Sequence, residues 1–231
     1  MKKTHLFATL GIFCVNPAFA TVIAIENFNS DRAGWEGSTA GIGVNLNATP
    51  VDFVSTGGAP DSSPGFITTS FAFSDAGSFG ATLFRGQSTT NASGGILSGD
   101  YLARGVNEIS FYIRHNAGVD IDFNLRVATP QNSPGFGLLP STAISSGVWS
   151  LVTLPVGPNE PFQQQSGTPT TVLPNVGNLQ IGASNPFASG SVEEMTAVTF
   201  ELDAFTISNV PEPSTIALSL LGGLCCLRRR R

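Results

Sequence analysis

The sequence predicts an all-β protein, a two-sheet antiparallel β-sandwich of the jelly-roll kind. Three observations carry that expectation. Apolar residues recur with period two along several short runs. Gly-Pro-Asn-Ser clusters separate those runs at residues 57–65, 88–99, 129–140 and 155–174. No segment between the chain ends sustains an apolar period of 3.6, and no internal repeat suggests a solenoid or propeller.

The runs follow in order. Ile25-Glu26-Asn27-Phe28 opens the series, ahead of Gly34-Trp35. Phe66–Ser74 and Ser78–Phe84 flank the turn Asp75-Ala76-Gly77. In Glu108–Arg114 the residues Ile109, Phe111 and Ile113 share one face, with Tyr112 on the other. Asp120–Val127 alternates Ile121, Phe123, Leu125 and Val127 inward against polar residues outward. Val148–Val156, Leu179–Ala183 and Ala197–Ile207 complete the set. Such strands pair into sheets whose apolar faces close on each other.

Both chain ends read as addresses. At the start, Lys2 and Lys3 precede an apolar stretch from Leu6 to Val15, and Ala18-Phe19-Ala20 gives a small-x-small cleavage site at Ala18 and Ala20. We expect residues 1–20 to be a signal peptide, 21–209 a single β-sandwich domain, and 210–231 a sorting tail. That tail runs Val210-Pro211-Glu212-Pro213-Ser214-Thr215, then an apolar segment from Ile216 to Leu227, then Arg228 to Arg231. A helix over Ile216–Leu227 spans about 18 Å, short of the roughly 30 Å hydrocarbon core. It can hold a chain in a bilayer transiently, with the arginines on the cytoplasmic side. Pro211 and Pro213 keep the motif extended, as a protease requires.

The tail resembles the PEP-CTERM sorting signal of Gram-negative bacteria. That resemblance implies partners of two kinds, the export machinery and an exosortase-type membrane protease that recognises Val210, Pro211, Glu212 and Pro213. It also implies a transient inner-membrane stage and a final location at the cell surface or in the extracellular matrix.

Trimming both ends would change the chemistry available. All three cysteines, Cys14, Cys225 and Cys226, lie in the segments expected to leave, so no thiol nucleophile, thiolate metal site or disulfide would remain. Five arginines (Arg32, Arg85, Arg104, Arg114, Arg126) would face fifteen carboxylates, a net charge of −10 against −5 for the whole chain. That balance repels nucleic acid. His115 would be the sole histidine, expected in a surface turn, and no Gly-x-Ser-x-Gly elbow accompanies it. Asp120 and Asp122 point to one face of a strand, a spacing open to acid–base work on a glycosidic bond but ordinary for a polar outer face. Trp35 and Trp149 are expected in the core, leaving Tyr112 as the aromatic placed to stack on a sugar.

The order of strand motifs, from Ile25-Glu26-Asn27-Phe28 and Gly34-Trp35 through Glu108–Ile113 and Val148–Val152 to Phe200–Ile207, resembles carbohydrate-binding-module-like jelly rolls. The resemblance implies a structural calcium ion between first and last strands, with Glu26, Asn27 and Asp203 as its side-chain ligands. It also implies extracellular polysaccharide as a partner. Together these readings favour an exported, non-catalytic surface or matrix protein with glycan-binding capacity. The alternative is a hydrolase acting on extracellular polysaccharide.

Overall fold

The computed structural model describes residues 20–37, 51–62, 64–73, 81–140 and 142–211. Thr21–Asn209 form one compact unit, and the two chain ends form another, of which Ala20, Val210 and Pro211 are described. Among the described residues of the first unit eleven strands make two antiparallel sheets. In chain order they are β1 (Thr21–Glu26), β2 (Asp52–Val54), β3 (Phe66–Phe71), β4 (Ala81–Gln87), β5 (Glu108–His115), β6 (Phe123–Ala128), β7 (Gly135–Leu138), β8 (Ser150–Pro155), β9 (Gln163–Gln164), β10 (Asn178–Ala183) and β11 (Val198–Asn209). Among the described residues helix is confined to short segments such as Pro169–Val172 and Val192–Met195.

The first sheet runs β2-β3-β11-β5-β8, with β1 added on β11. Strand β11 serves two partners along one edge: β3 pairs with Val198–Leu202 and β1 with Phe205–Asn209. A register shift between Asp203 and Thr206 separates the two stretches, and Ala204 there takes a left-handed φ of 49°. The second sheet runs β4-β10-β6-β7-β9.

The inner faces bury the alternating residues predicted for them. Ile109, Phe111 and Ile113 of β5 are buried, as are Phe123, Leu125 and Val127 of β6. Phe111 stacks on Phe205 with centroids 5.7 Å apart, and Trp35 packs between Phe28 (5.8 Å) and Phe205 (5.2 Å). Gly86 of β4 makes room for the indole, since a Cβ there would lie 2.8 Å from Trp35 Cζ2.

Each predicted run whose residues are described contains a strand, with ends moved by a few residues. Asp120 and Asp122 are the exception to that reading: Ile121 makes only an isolated bridge to Ile144, and β6 begins at Phe123. Three strands lie outside the predicted runs. Strands β7 and β9 fall inside the stretches read as loops, and β2 is three residues long. Local pattern favours a loop in Gly135–Leu138, which follows Pro134 and carries two glycines. The free edge of β6 supplies the partner that makes it a strand.

Candidate functional site

The predicted site residues scatter over several surfaces. Glu26 ends β1, where its Oε1 accepts the Phe28 amide at 2.9 Å. Asn27 follows it. Asp203 is fully buried at the β11 irregularity. Its Oδ2 accepts the Ala59 amide (2.8 Å) and the Ser62 hydroxyl (2.5 Å), and its Oδ1 accepts the Ala204 amide (2.7 Å). Burial raises the proton affinity of this carboxyl, its three hydrogen bonds oppose the rise, and the Glu26 charge adds to it. Asp203 thus ties residues 55–62 across the outer face of the first sheet.

Tyr112 is half-buried on that same outer face, paired with Asp203 on one side and Leu151 on the other. Val210 and Pro211 are described, and Glu212 and Pro213 lie outside the described residues. So do Ala18, while Ala20 is described and exposed. The tail segment Ile216–Leu227, expected to form a short helix, also lies outside them. No helix among the described residues is long and apolar enough to cross a membrane.

Two expectations are corrected. His115 is buried rather than on a surface turn. Its Nδ1 accepts the Ala117 amide at 3.4 Å, so Nε2 carries the proton and donates to the Ile144 carbonyl at 3.0 Å. Burial between Phe123 and Phe200 depresses its proton affinity, against smaller opposing effects from that carbonyl and from Asp120. Trp149 is half-buried on the outer face of the first sheet rather than in the core. Its Nε1 donates to the Gly57 carbonyl at 3.2 Å, and the Arg114 guanidinium lies 4.6 Å from its ring centroid while pairing with Glu201.

The strongest convergence of polar side chains stands elsewhere, on the outer face of the second sheet. Strand alternation sends Arg126 outward between Leu125 and Val127. The ladder then sets Arg85 (β4), Gln180 (β10), Arg126 (β6), Gly137 (β7) and Gln163 (β9) in one transverse row. The neighbouring row holds Gln87, Asn178, Ala128 and Gly135.

A chain of hydrogen bonds crosses this face. Gln87 Nε2 donates to Glu36 Oε2 (3.4 Å), and Asn178 Nδ2 to Gln87 Oε1 (3.2 Å). Gln180 Nε2 donates to Asn178 Oδ1 (3.0 Å) and to Asn132 Oδ1. Arg126 closes the line, donating from Nη1 and Nη2 to Asn132 and from Nε to Gln165 Oε1 (2.7 Å). Gly135 lets the guanidinium lie down on the sheet, since a Cβ there would sit 2.6 Å from Arg126 Nη2.

Arg85 is held differently. Its backbone bridges Glu36, with N–H donating to O at 2.8 and 3.0 Å, but its guanidinium makes no hydrogen bond or ion pair among the described residues. Its Nε is buried without a partner. Burial pulls its proton affinity down, partly offset by Glu36, and Arg126 is lowered by burial and then by the Arg85 charge. Planar amide and guanidinium groups fixed in one line present several directed donors to a ligand lying across the strands. Among the described residues no cluster of three or more His, Cys, Asp or Glu offers a metal centre.

This face does not stand out in the sequence. Its signal was the polar phase shared by Phe84-Arg85-Gly86-Gln87, Asn178-Leu179-Gln180 and Asn124-Leu125-Arg126. Which of these strands are neighbours, and in which register, is a property of the sheet.

Residues 209–231 match the PEP-CTERM protein-sorting motif, so the chain carries that motif at its C terminus. No curated protein matches the chain. Among solved structures it is similar to the CBM22-2 xylan-binding domain of Paenibacillus barcinonensis Xyn10C, at 13% identity and TM-score 0.47, covering 80% of this chain and 98% of that one. It is also similar to the family 11 carbohydrate-binding module of Clostridium thermocellum in complex with a beta-1,3-1,4-mixed-linked tetrasaccharide, at 17% identity and TM-score 0.43, covering 82% and 96%. A third is the CBM22-1 and GH10 modules of the N-terminal endo-1,4-beta-D-xylanase 10B of Clostridium thermocellum, at 14% identity and TM-score 0.44. There the match covers 84% of this chain and only 29% of that one.

Proposed function

We propose that the protein is an exported, non-catalytic module that is released from its PEP-CTERM tail by an exosortase-type protease and binds polysaccharide at the cell surface or in the extracellular matrix. The sorting motif at residues 209–231 supports export and processing. The observation that carries glycan binding is the hydrogen-bonded line from Gln87 to Arg126 on the outer face of the second sheet. Sugar hydroxyls both donate and accept, and a rigid row of amides and guanidinium groups meets them with little side-chain entropy left to lose.

The test is affinity electrophoresis of the purified protein in gels containing xylan, mixed-linked glucan, polygalacturonate or dextran sulfate. Retardation by at least one polymer, abolished in Gln180→Ala with an unchanged circular dichroism spectrum, is the expected result. Unretarded migration in all four gels would overturn the reading.

Calcium at Glu26, Asn27 and Asp203 belongs to the same proposal as a stabilising ligand. Its support is the placement of Glu26, which pairs with Phe205 two residues from Asp203 on β11 and adds to the carboxyl's raised proton affinity, a repulsion that a divalent cation would relieve. Because Asp203 already accepts three hydrogen bonds, Glu26 would supply most of the side-chain charge. A rise in melting temperature with free calcium, lost in Glu26→Gln, is expected from mass action. A midpoint indifferent to calcium and chelator would remove the ion.

A further inference from the structure

We infer that the outer face of the second sheet selects polysaccharides bearing anionic groups, carboxylate or sulfate, which Arg85 and Arg126 grip from either side of Gln180. The inference rests on the glycan-binding reading and adds the charge class of the ligand.

The arginines are distributed unequally. Arg104 donates to the carbonyls of Ile96 and Ser98, and Arg114 pairs with Glu201. Arg85 and Arg126, by contrast, stand in one ladder row with no ion pair among the described residues. The strands that carry them are two ladder spacings apart, roughly 10 Å. Each guanidinium is half-buried, and the Arg85 charge acts against that of Arg126, an arrangement that an arriving anion would relieve.

Arg126 is oriented by Asn132 and Gln165, which are neutral, so its charge remains available. One N–H on each of its terminal nitrogens is uncommitted. Arg85 keeps its fork uncommitted among the described residues, and the Glu36 carboxylate, whose charge acts on Arg85, accepts from Gln87 instead. A guanidinium fork matches a carboxylate or sulfate with two parallel bonds, which a neutral hydroxyl cannot return. The three glycines Gly135, Gly137 and Gly182 of the adjoining strands keep the face low around the arginines.

The remainder of the protein sharpens the test. A domain of net charge −10 repels polyanions, so retention by one must come from local recognition rather than from general charge. At physiological ionic strength the repulsion is screened beyond about 8 Å while the contact pairs are not.

The experiment titrates the processed protein, without residues 1–20 and without the arginine-ended tail beyond Asn209, with polygalacturonate, with the same polymer after its carboxyl groups are reduced to alcohols, and with dextran sulfate. Expected is at least tenfold tighter binding to one charged polymer than to the reduced one. The preferred charged polymer identifies carboxylate or sulfate as the group recognised. Arg85→Gln should lose at least tenfold in that affinity while its melting temperature stays equal or rises, because its guanidinium bonds to no group among the described residues. Equal affinity for charged and reduced polymers, or unchanged affinity in Arg85→Gln, overturns the inference and leaves glycan binding in place. Failure to bind any of the three, together with migration unretarded by neutral glycans, overturns both.

Discussion

The Ala59 amide donates to Asp203 Oδ2 across 2.8 Å, joining residues 144 apart in the chain. Ser62 donates to the same oxygen, so one buried carboxylate holds the loop between β2 and β3 against the last strand. Replacing it with alanine takes the acceptor from the buried Ala59 and Ala204 amides, a loss of about 2–4 kcal/mol. The pH dependence follows from the raised proton affinity. The folded protein binds a proton on Asp203 more tightly than the unfolded chain does. Its contribution is therefore complete below the ordinary aspartate value of about 3.9 and is lost as pH rises through the folded value. Melting temperatures of wild type and Asp203→Asn, compared from pH 3 upward in chelator, should diverge in that sense.

His115 predicts the opposite slope. Its proton affinity is depressed by burial, so its contribution is present above the ordinary histidine value of about 6.5 and is lost as pH falls through the folded value. His115→Gln should flatten the stability profile on the acid side of about pH 6.5. A midpoint in wild type that holds steady as pH falls below that value, with His115→Gln identical to it, would remove the histidine from the acid transition.

Gly86 is needed for the space it leaves. Gly86→Ala sets a methyl 2.8 Å from a fully buried indole that has packed partners on both sides. Overpacking of this kind costs about 1–3 kcal/mol. Chemical denaturation should show the loss, with Trp35→Phe in the same background restoring part of it.

Processing is checked by mass. The exported form should end between Val210 and Thr215, without Cys225 and without the arginines from Arg228 onward. Recovery of intact Arg231 in the extracellular fraction would contradict cleavage. The same sample should melt at one temperature with or without reductant, since its expected cysteine content is zero.

Asp120 and Asp122 separate a binding module from a hydrolase. Both are exposed, and neither forms an ion pair among the described residues. Single alanine substitutions should alter stability by no more than about 0.5 kcal/mol and leave glycan affinity unchanged. Polysaccharide turnover that disappears with either substitution would instead establish the hydrolase.

The sequence by itself determined the sandwich, because period-two burial is written locally: Ile109, Phe111 and Ile113 can share a face only on a strand. It also determined the sorting motif, whose signal is linear. Tertiary structure decided the rest. Nothing local makes Gly135–Leu138 a strand, and pairing with β6 does so by satisfying its backbone. Nothing near His115 in the chain announces that Phe123 and Phe200 will close over it. Arg85, Arg126 and Gln180 come from three strands separated by about forty to ninety-five residues, and their single row exists only once β10 lies between β4 and β6. A strand encodes which side each residue faces. Which strand lies beside it is settled by how two whole sheets bury their apolar faces together.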